Sequence, residues 1–382
     1  MMASPDHDVL ILGGGLAGGL CALALRARRP ELDVAIVEPG EVLGGNHLWS
    51  FFQSDIAVRD RALVEPLIAH RWPGYSVAFP AHRRRLQEPY RTIASEKLDS
   101  SLRTAIAPNR IIRAAAVSVQ PQRVVLDNGQ TIGARAVLDA RGGKAEGLRL
   151  GWQKFFGQLL EVPAGHGLDE PVVMDATVDQ TDGYRFVYCL PFSPTQVFVE
   201  DTYYTDGPEL DLQQLAARIS AYADARGWQV ERVGRAESGQ LPVLTGGEFE
   251  RFWPLSDPVA RAGARGGFFH PLTSYSLPDA VRFASWLADL APLDERLGEA
   301  TRARALRHWK RSAYDRLLAR MLFKAADPPL RYRILERFYR LPSALITRFY
   351  SGQSRVSDRI RILAGRPPVS IWRAMRVLKD RP

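Results

Sequence analysis

Four residues near the start of the chain have the types and spacing to hold a dinucleotide. Gly13, Gly15 and Gly18 read G-x-G-x-x-G, and Glu38 stands twenty residues beyond the last of them. Gly13 permits a tight turn out of a strand. Gly15 has no Cβ, so the backbone can approach a pyrophosphate, and Gly18 lets the following helix lie close on a sheet. The N-terminus of that helix offers free N–H groups and a partial positive charge to the phosphates. Glu38 can accept hydrogen bonds from ribose hydroxyls, and a carboxylate there disfavours the 2′-phosphate of NADP, which leaves FAD or NAD. Gly44 and Gly45 follow, where a loop could close over the cofactor, with His47 and Trp49 beside it. The neighbours of His47 supply no metal cluster, so no metal is expected.

The motif gains its weight from the elements that must position it. Residues 8–12 are a short apolar run of the kind that makes a buried parallel strand, residues 20–27 are rich in helix formers, and residues 33–37 form a second apolar run. Downstream, residues 60–71 read as a helix, 75–79 as a strand, 82–85 as a solvated turn and 97–105 as a helix. Residues 111–126 alternate as a hairpin does, and Asp127-Asn128-Gly129-Gln130 is a strong turn signal. A strand at 136–140 runs into Arg141-Gly142-Gly143, which reads as another edge of the cofactor site. The aromatic-rich strands 155–162, 185–191 and 196–204 suggest an inserted antiparallel sheet whose faces line an apolar tunnel or form a core. A helix at 210–229, a strand near 230–237 and a turn at 239–242 lead back to a last cofactor-domain strand at 259–263. The Gly- and Pro-rich loop 266–278, holding Gly266 and Gly267, precedes a helix from about 279, again a geometry that binds phosphate or a flavin edge. The expected fold is therefore α/β. A Rossmann-type cofactor-binding domain takes residues 1–72 with 110–152 and 255–300, an inserted β-sheet substrate domain takes 73–109 and 153–254, and a basic helical region takes 301–382.

Composition sets outer bounds. The chain of 382 residues is 46% hydrophobic and 24% charged, ordinary for a globular protein. Its two cysteines, Cys21 and Cys189, argue against a disulfide framework and fit a reducing compartment. The polar N-terminus reads as no secretory signal, and no run of 18 apolar residues predicts a spanning helix. Residues 301–382 hold 21 Lys and Arg against 5 Asp and Glu, so the net charge of +9 belongs to this tail. No nucleic-acid module is recognisable, and no nucleic-acid partner is expected. Arginines interleaved with large apolar residues suit an anionic membrane surface better.

Taken together, four stretches resemble the bacterial lycopene β-cyclases of carotenoid synthesis. They are the G-x-G-x-x-G; Gly44-Gly45-Asn46-His47-Leu48-Trp49-Ser50-Phe51, similar to G-G-N-H-T-W-S-F; Met174-Asp175-Ala176-Thr177-Val178 through Asp182-Gly183-Tyr184-Arg185-Phe186 to Glu200-Asp201-Thr202; and His270-Pro271 through Tyr275-Ser276-Leu277-Pro278. Two departures stand out: Leu48 replaces the expected Thr, and Ser274 replaces an expected Gly whose backbone angles Ser does not share.

The resemblance implies FAD used in its reduced form, NAD(P)H as its reductant, and a reaction without net redox change. Lycopene, or another carotenoid with a ψ end group, is protonated at a terminal double bond. The cation is closed by a neighbouring alkene, and proton loss leaves a β-ionone ring, giving γ-carotene and then β-carotene. It places Gly13, Gly15, Gly18, Glu38, Gly44, Gly45, His47, Gly266, Gly267 and Ser276 at the cofactor, and Trp49, Tyr184 and Arg185 at the substrate. Protonating an alkene needs a carboxylic acid kept protonated in an apolar site. Glu200 is the choice, with Asp201 a like charge that could help raise its pKa; Asp201 is the runner-up donor, which alternation puts on the opposite face of the strand. The substrate is a membrane-held hydrocarbon, so the chain is expected to act peripherally, on the cytoplasmic side of the membrane, with other enzymes of carotenoid synthesis as further partners. Phe338, Tyr339, Phe349 and Trp372 are the candidates to insert into lipid. Two rivals remain at this point. One is a redox flavoenzyme of the same fold, a monooxygenase or isoprenoid reductase, though such enzymes usually carry a Gly-Asp pair where residues 262–271 contain no acid. The other is a carotenoid-binding protein without catalysis.

Overall fold

The first apolar run folds as the strand His7–Leu12 and lies inside a seven-stranded sheet. The computed structural model describes residues 5–143, 146–365 and 369–379. The first four residues of the expected cofactor domain, residues 144 and 145, and residues 366–368 and 380–382 of the expected basic tail, lie outside them. Parallel neighbours flank His7–Leu12 on both sides, Val34–Val37 and Thr131–Asp139. Val9 to Leu12 are wholly buried, as a parallel strand covered on both faces must be. The hairpin Ala116–Gln120 and Arg123–Leu126 extends one side of the sheet antiparallel, and Ala260–Arg261 pairs with the end of Thr131–Asp139. Helix Leu16–Arg28 packs on this sheet, and the helices Ser95–Ala105 and Leu277–Asp289 pack on it in turn.

A second seven-stranded sheet stands beside the first. Its order is Arg232–Gly247, Leu148–Glu161, Gln196–Thr205, Tyr184–Ser193, Val172–Asp175, Tyr75–Phe79 and His82–Leu86. All its pairs are antiparallel except Val172–Asp175 with Tyr75–Phe79. Helix Leu212–Ala225, capped by the Asp211 carboxylate accepting from Gln214 N–H at 3.0 Å, covers one face. Its Leu215 and Ile219 pack there with Val187, Cys189 and Val199. The other face is left for the site. A small third sheet, Leu48–Phe52, Tyr90–Ala94 and Ile68–Trp72, bridges the two larger ones.

Several local expectations are corrected. Only Arg61–Val64 of the helix expected at 60–71 is α-helical; Pro66 stops it, and Ile68–Trp72 becomes a strand against Tyr90–Ala94. The expected turn at 82–85 is the edge strand His82–Leu86, where Arg84 Nη1 donates to the carbonyls of Tyr339 (2.7 Å) and Leu341 (2.5 Å). The expected turn at 239–242 lies inside the strand Arg232–Gly247. Gly239 makes room there for the Phe155 ring, and Pro242 is tolerated because the strand is at an edge. Domain borders move too. Ile93, Leu98 and Leu102 belong to the core of the cofactor domain, so the second sheet draws only residues 75–86 from the segment 73–109, and it takes residues 148–152 from the cofactor domain.

Candidate functional site

The glycine-rich turn is built as its residue types require. Gly13 has φ +97°, in the region L side chains avoid. A Cβ on Gly18 would lie 2.0 Å from Gly13 O, whereas a Cβ on Gly15 would meet nothing within 4 Å. The first glycine turns the chain, the third seats the helix, and the second leaves open space at the helix N-terminus. A cavity beside them is lined by Gly13, Gly15, Glu38, Arg141 and Gly142. Glu38 ends the second strand with its carboxylate accepting from Gly14 N–H and Gly40 N–H, both at 2.9 Å. Asp139, at the end of the neighbouring strand, is held below the usual carboxylate range: burial opposes this, but Arg141 and Arg265 outweigh it. These residues fit the adenosine and pyrophosphate portion of a dinucleotide.

The segment Gly44-Gly45 lies between this cavity and another one. Gly44 N–H donates to Gly14 O at 2.9 Å, and three residues on, His47 lines a cavity of about 370 Å³. Its main wall is the open face of the second sheet, where alternation brings Tyr184, Phe186, Tyr188, Glu200, Tyr204 and Glu237 to one side. Trp49 and Phe52 of the small sheet, Ser276 at the start of helix Leu277–Asp289, and Phe349 and Tyr350 from the C-terminal helices close it. Hydroxyls on this wall are mostly paired: Tyr90 with Tyr188 at 3.0 Å, Tyr204 donating to Gln153 Oε1 at 2.7 Å, and Tyr275 donating to Asp55 Oδ2 at 2.6 Å. Tyr184 Oη is buried without a hydrogen-bond partner. The result is an apolar, π-rich chamber, suited to a hydrocarbon and to a cation formed within it.

One carboxyl group in that chamber is tuned as an acid. Burial pushes Glu200 up to about 8, against the hydrogen bond it accepts from Thr202 Oγ1 at 2.5 Å; the charge of Glu237, and after it that of Asp201, adds to the rise. Asp201 contributes less because it points through the opposite face, where Arg185 Nε and Nη2 donate to it at 2.8 and 2.5 Å. Arg185 therefore lines no part of the chamber, which corrects its expected place at the substrate. Tyr184 and Trp49 do line it. Gly266 and Gly267 line neither cavity; they close the turn after Ala260–Arg261, and it is Gly263 (φ +55°) whose missing Cβ, 2.6 Å from Ala17 Cβ, allows the turn to meet the first helix. Ser274, standing where Gly was expected, takes φ +56° and is held there by its hydroxyl donating to Pro242 O at 2.6 Å.

Glu237 was missed in the sequence. It is buried, its Oε1 lies 2.9 Å from His47 Nδ1, and its Oε2 accepts from Leu48 N–H at 3.0 Å. Alternation within residues 230–237 would have carried the same face to Glu237, but the expected turn at 239 hid it.

A second, apolar cavity of about 120 Å³ adjoins the chamber through the shared residues Leu272, Leu322, Leu335 and Phe349. Phe338 lines it, and Ile362, Leu363 and Val369 stand among its other walls. Phe338, Tyr339 and Phe349 are thus interior, 7%, 0% and 3% exposed, and cannot insert into lipid as expected. Among the described residues beyond 350, the exposed large apolar side chains are Val356, Ile360, Leu363, Trp372 and Met375, on the helices Val356–Leu363 and Ile371–Lys379. Among the described residues no helix is long and apolar enough to cross a membrane.

The comparisons with known proteins agree with this geometry. Residues 8–376 match the family model described as lycopene cyclase protein. The lycopene beta-cyclase of Pseudescherichia vulneris is 43% identical over 97% of this chain and 96% of its own. That of Paracoccus sp. is 42% identical over 98% of both chains. Among solved structures, a flavin-dependent brominase superposes with a TM-score of 0.64 at 16% identity, covering 91% of this chain and 93% of that one. A geranylgeranyl bacteriochlorophyll reductase-like protein of Thermoplasma acidophilum gives 0.60 at 13%, covering 98% of each. These two structures show the fold.

Proposed function

The chain belongs to the lycopene cyclase family, and from that premise we propose that it is a lycopene β-cyclase, closing the ψ end groups of lycopene to β-ionone rings by proton transfer and without net redox change. The observation that carries this reading is Glu200: a carboxyl group on the wall of an aromatic chamber, held up to about 8 by burial and so protonated at neutral pH. Its proton goes to the terminal alkene, and the tertiary cation is closed by the neighbouring double bond. The faces of the chamber's tyrosines and phenylalanines meet that charge, and the apolar walls keep out the water that would quench it. Loss of a ring proton gives the product, first γ-carotene and then β-carotene.

FAD is the cofactor in this reading: Gly13, Gly15 and Glu38 would hold one end and His47 and Ser276 would face the other, while Gly18 and Gly44 line neither cavity and act on the turn itself, Gly18 by seating the helix and Gly44 by donating to Gly14 O. When bound and reduced by NAD(P)H, the flavin would supply negative charge to the developing cation. Gly15→Ala should therefore leave the melting temperature unchanged while weakening FAD binding. Gly18→Ala should yield little folded protein, because its Cβ collides with Gly13 O. Fluorescence titration of FAD and thermal melts check the pair.

The substrate lies in a bilayer, and the face that meets it is the pair of C-terminal helices, on the cytoplasmic side of the membrane. Ile360, Leu363 and Trp372 are 64%, 47% and 81% exposed, and the exposed Arg361 and Arg373 stand beside them to meet anionic headgroups. The apolar side cavity, sharing Leu363 with this face and Phe349 with the chamber, is the route inward. Replacing Ile360, Leu363 and Trp372 together by Ser should weaken binding to anionic liposomes by about 100-fold. Turnover of detergent-dispersed lycopene should be spared. Equal flotation of the triple variant would remove this face from the reading.

The whole reading is tested with FAD, anaerobic reduction and lycopene in liposomes made up in heavy water. Product of unchanged formula carrying solvent deuterium supports the cyclase. Product altered by hydrogen or oxygen atoms replaces it with a redox flavoenzyme.

A further inference from the structure

Glu200 and Glu237 occupy one row of the second sheet. Glu200 is in register with Gly157 of the neighbouring strand, and Gly157 is in register with Glu237 of the next. Residues opposite one another on adjacent strands project from the same face, so both carboxyl groups reach the same chamber. Their backbones are two strand spacings apart, about 10 Å. Gly157 places no side chain between them. The ring of Phe198 lies in its place, 2.3 Å from where a Cβ would be, and keeps the acids from bonding to each other. A six-membered ring closing above Phe198 would have one glutamate on each side.

The two groups are furnished for opposite tasks. Glu200 has a single hydroxyl donor and a desolvated carboxyl. Glu237 is an acceptor on both oxygens, toward Leu48 N–H and His47 Nδ1. His47 is half-exposed and links Glu237 to solvent. Pairs of carboxyl groups whose surroundings differ in this way divide acid and base roles.

We propose that Glu237 is the base of the reaction, taking the proton from the ring carbon that has just formed the new bond, and that its placement selects the β end group. This rests on the cyclase reading. The O–H bond of Glu200 breaks as the π electrons of the terminal double bond form a C–H bond at its CH carbon, leaving a tertiary cation on its dimethyl carbon. The second alkene's electrons make the ring bond and leave a cation on the methyl-bearing carbon. The C–H bond of the newly bonded ring carbon then gives its electrons to the ring double bond and its proton to Glu237. Glu237 passes that proton to solvent by way of His47, and Glu200 regains one from solvent, so no oxidant or reductant is consumed. Removal of a proton from the adjacent ring methylene would give an ε end group instead, and removal from the methyl group a γ end group.

The test uses the FAD-loaded, reduced protein with lycopene in liposomes and compares Glu237→Gln, Glu237→Asp and His47→Gln with the parent. Glu237→Gln should bind FAD as the parent does, turn over about 100-fold more slowly, and release ε and γ end groups in its residual product. Glu237→Asp should make β rings alone at reduced rate, and His47→Gln should slow turnover while keeping the product β. If the Gln variant makes only β rings, or Glu237→Asp makes none while still binding FAD, the proposal falls. It falls also if Glu237→Gln and His47→Gln lose FAD binding together, because Glu237 then only anchors the Gly44–His47 loop. A parent that forms no ring fells the cyclase reading instead.

Discussion

Glu200→Gln should lower cyclisation by about 10³-fold while leaving FAD binding intact. The amide keeps the shape and can still accept from Thr202 Oγ1, but it has no proton acid enough for an alkene. The pH dependence follows from the same group. Protonated Glu200 is the competent form, so parent turnover should hold at neutral pH and fall as pH rises through about 8, roughly tenfold for each further unit. Stability carries the matching sign. The folded value lies above the ordinary glutamate value of about 4.5, so the folded chain binds this proton more tightly than the unfolded one. Its contribution is fully present below about 4.5 and is lost as pH rises through about 8. The variant does not titrate there. Glu200→Gln should therefore melt above the parent at pH 9, with the difference closing toward pH 5. Thermal melts across that range and cyclisation assays at each pH measure both effects; a variant with full turnover would end the assignment of Glu200 as donor.

That an acid at residue 200 could be singled out beforehand, while Glu237 could not, has a physical basis. Glu200 sits in a run from Gln196 to Tyr204 rich in β-branched and aromatic residues, which declares the strand, and the period of two then sends Glu200 and Asp201 to opposite faces. Glu237 is in a strand of 16 residues holding four glycines and a proline, whose signals read locally as a turn. They are tolerated because the strand is at an edge, and Gly239 is there for the Phe155 ring, a packing need that spacing does not announce. The glycine-rich turn was legible because each glycine answers a local requirement: a positive φ, an open approach, a close helix. The basic tail was legible in charge but not in side-chain direction. Arg316 and Arg331 are buried while Arg333, Arg340 and Arg361 are exposed, and Phe338, Tyr339 and Phe349 turn inward against a sheet nearly 150 residues away in the chain; helical periodicity in segments of seven or eight residues cannot show which neighbour will cover them.

Arg185→Met should cost stability and spare substrate affinity. Arg185 and Asp201 are 7% and 0% exposed, under helix Leu212–Ala225 and away from the chamber. The guanidinium donates through Nε and Nη2 to the carboxylate and through Nη1 to Asp179 O at 3.2 Å. Even so paired, Asp201 is held above the usual carboxylate range, because burial outweighs what Arg185 gives back. Removing the cation leaves a buried charge with no hydrogen-bonded cation and only the field of Arg218 to meet it, a loss of about 3–5 kcal/mol. For a chain of this length that is a melting transition lower by about 5 °C. The deficit should be deepest at pH 8 and should shrink toward pH 5, as protonation of Asp201 removes the uncompensated charge. Arg185→Met with Asp201→Leu should recover most of it, since two apolar side chains in that layer need no partner. Lycopene KM should match the parent in both variants at a temperature where each is folded. A raised KM with an unchanged melt would return Arg185 to the substrate, and would require the sheet to present it through the chamber face.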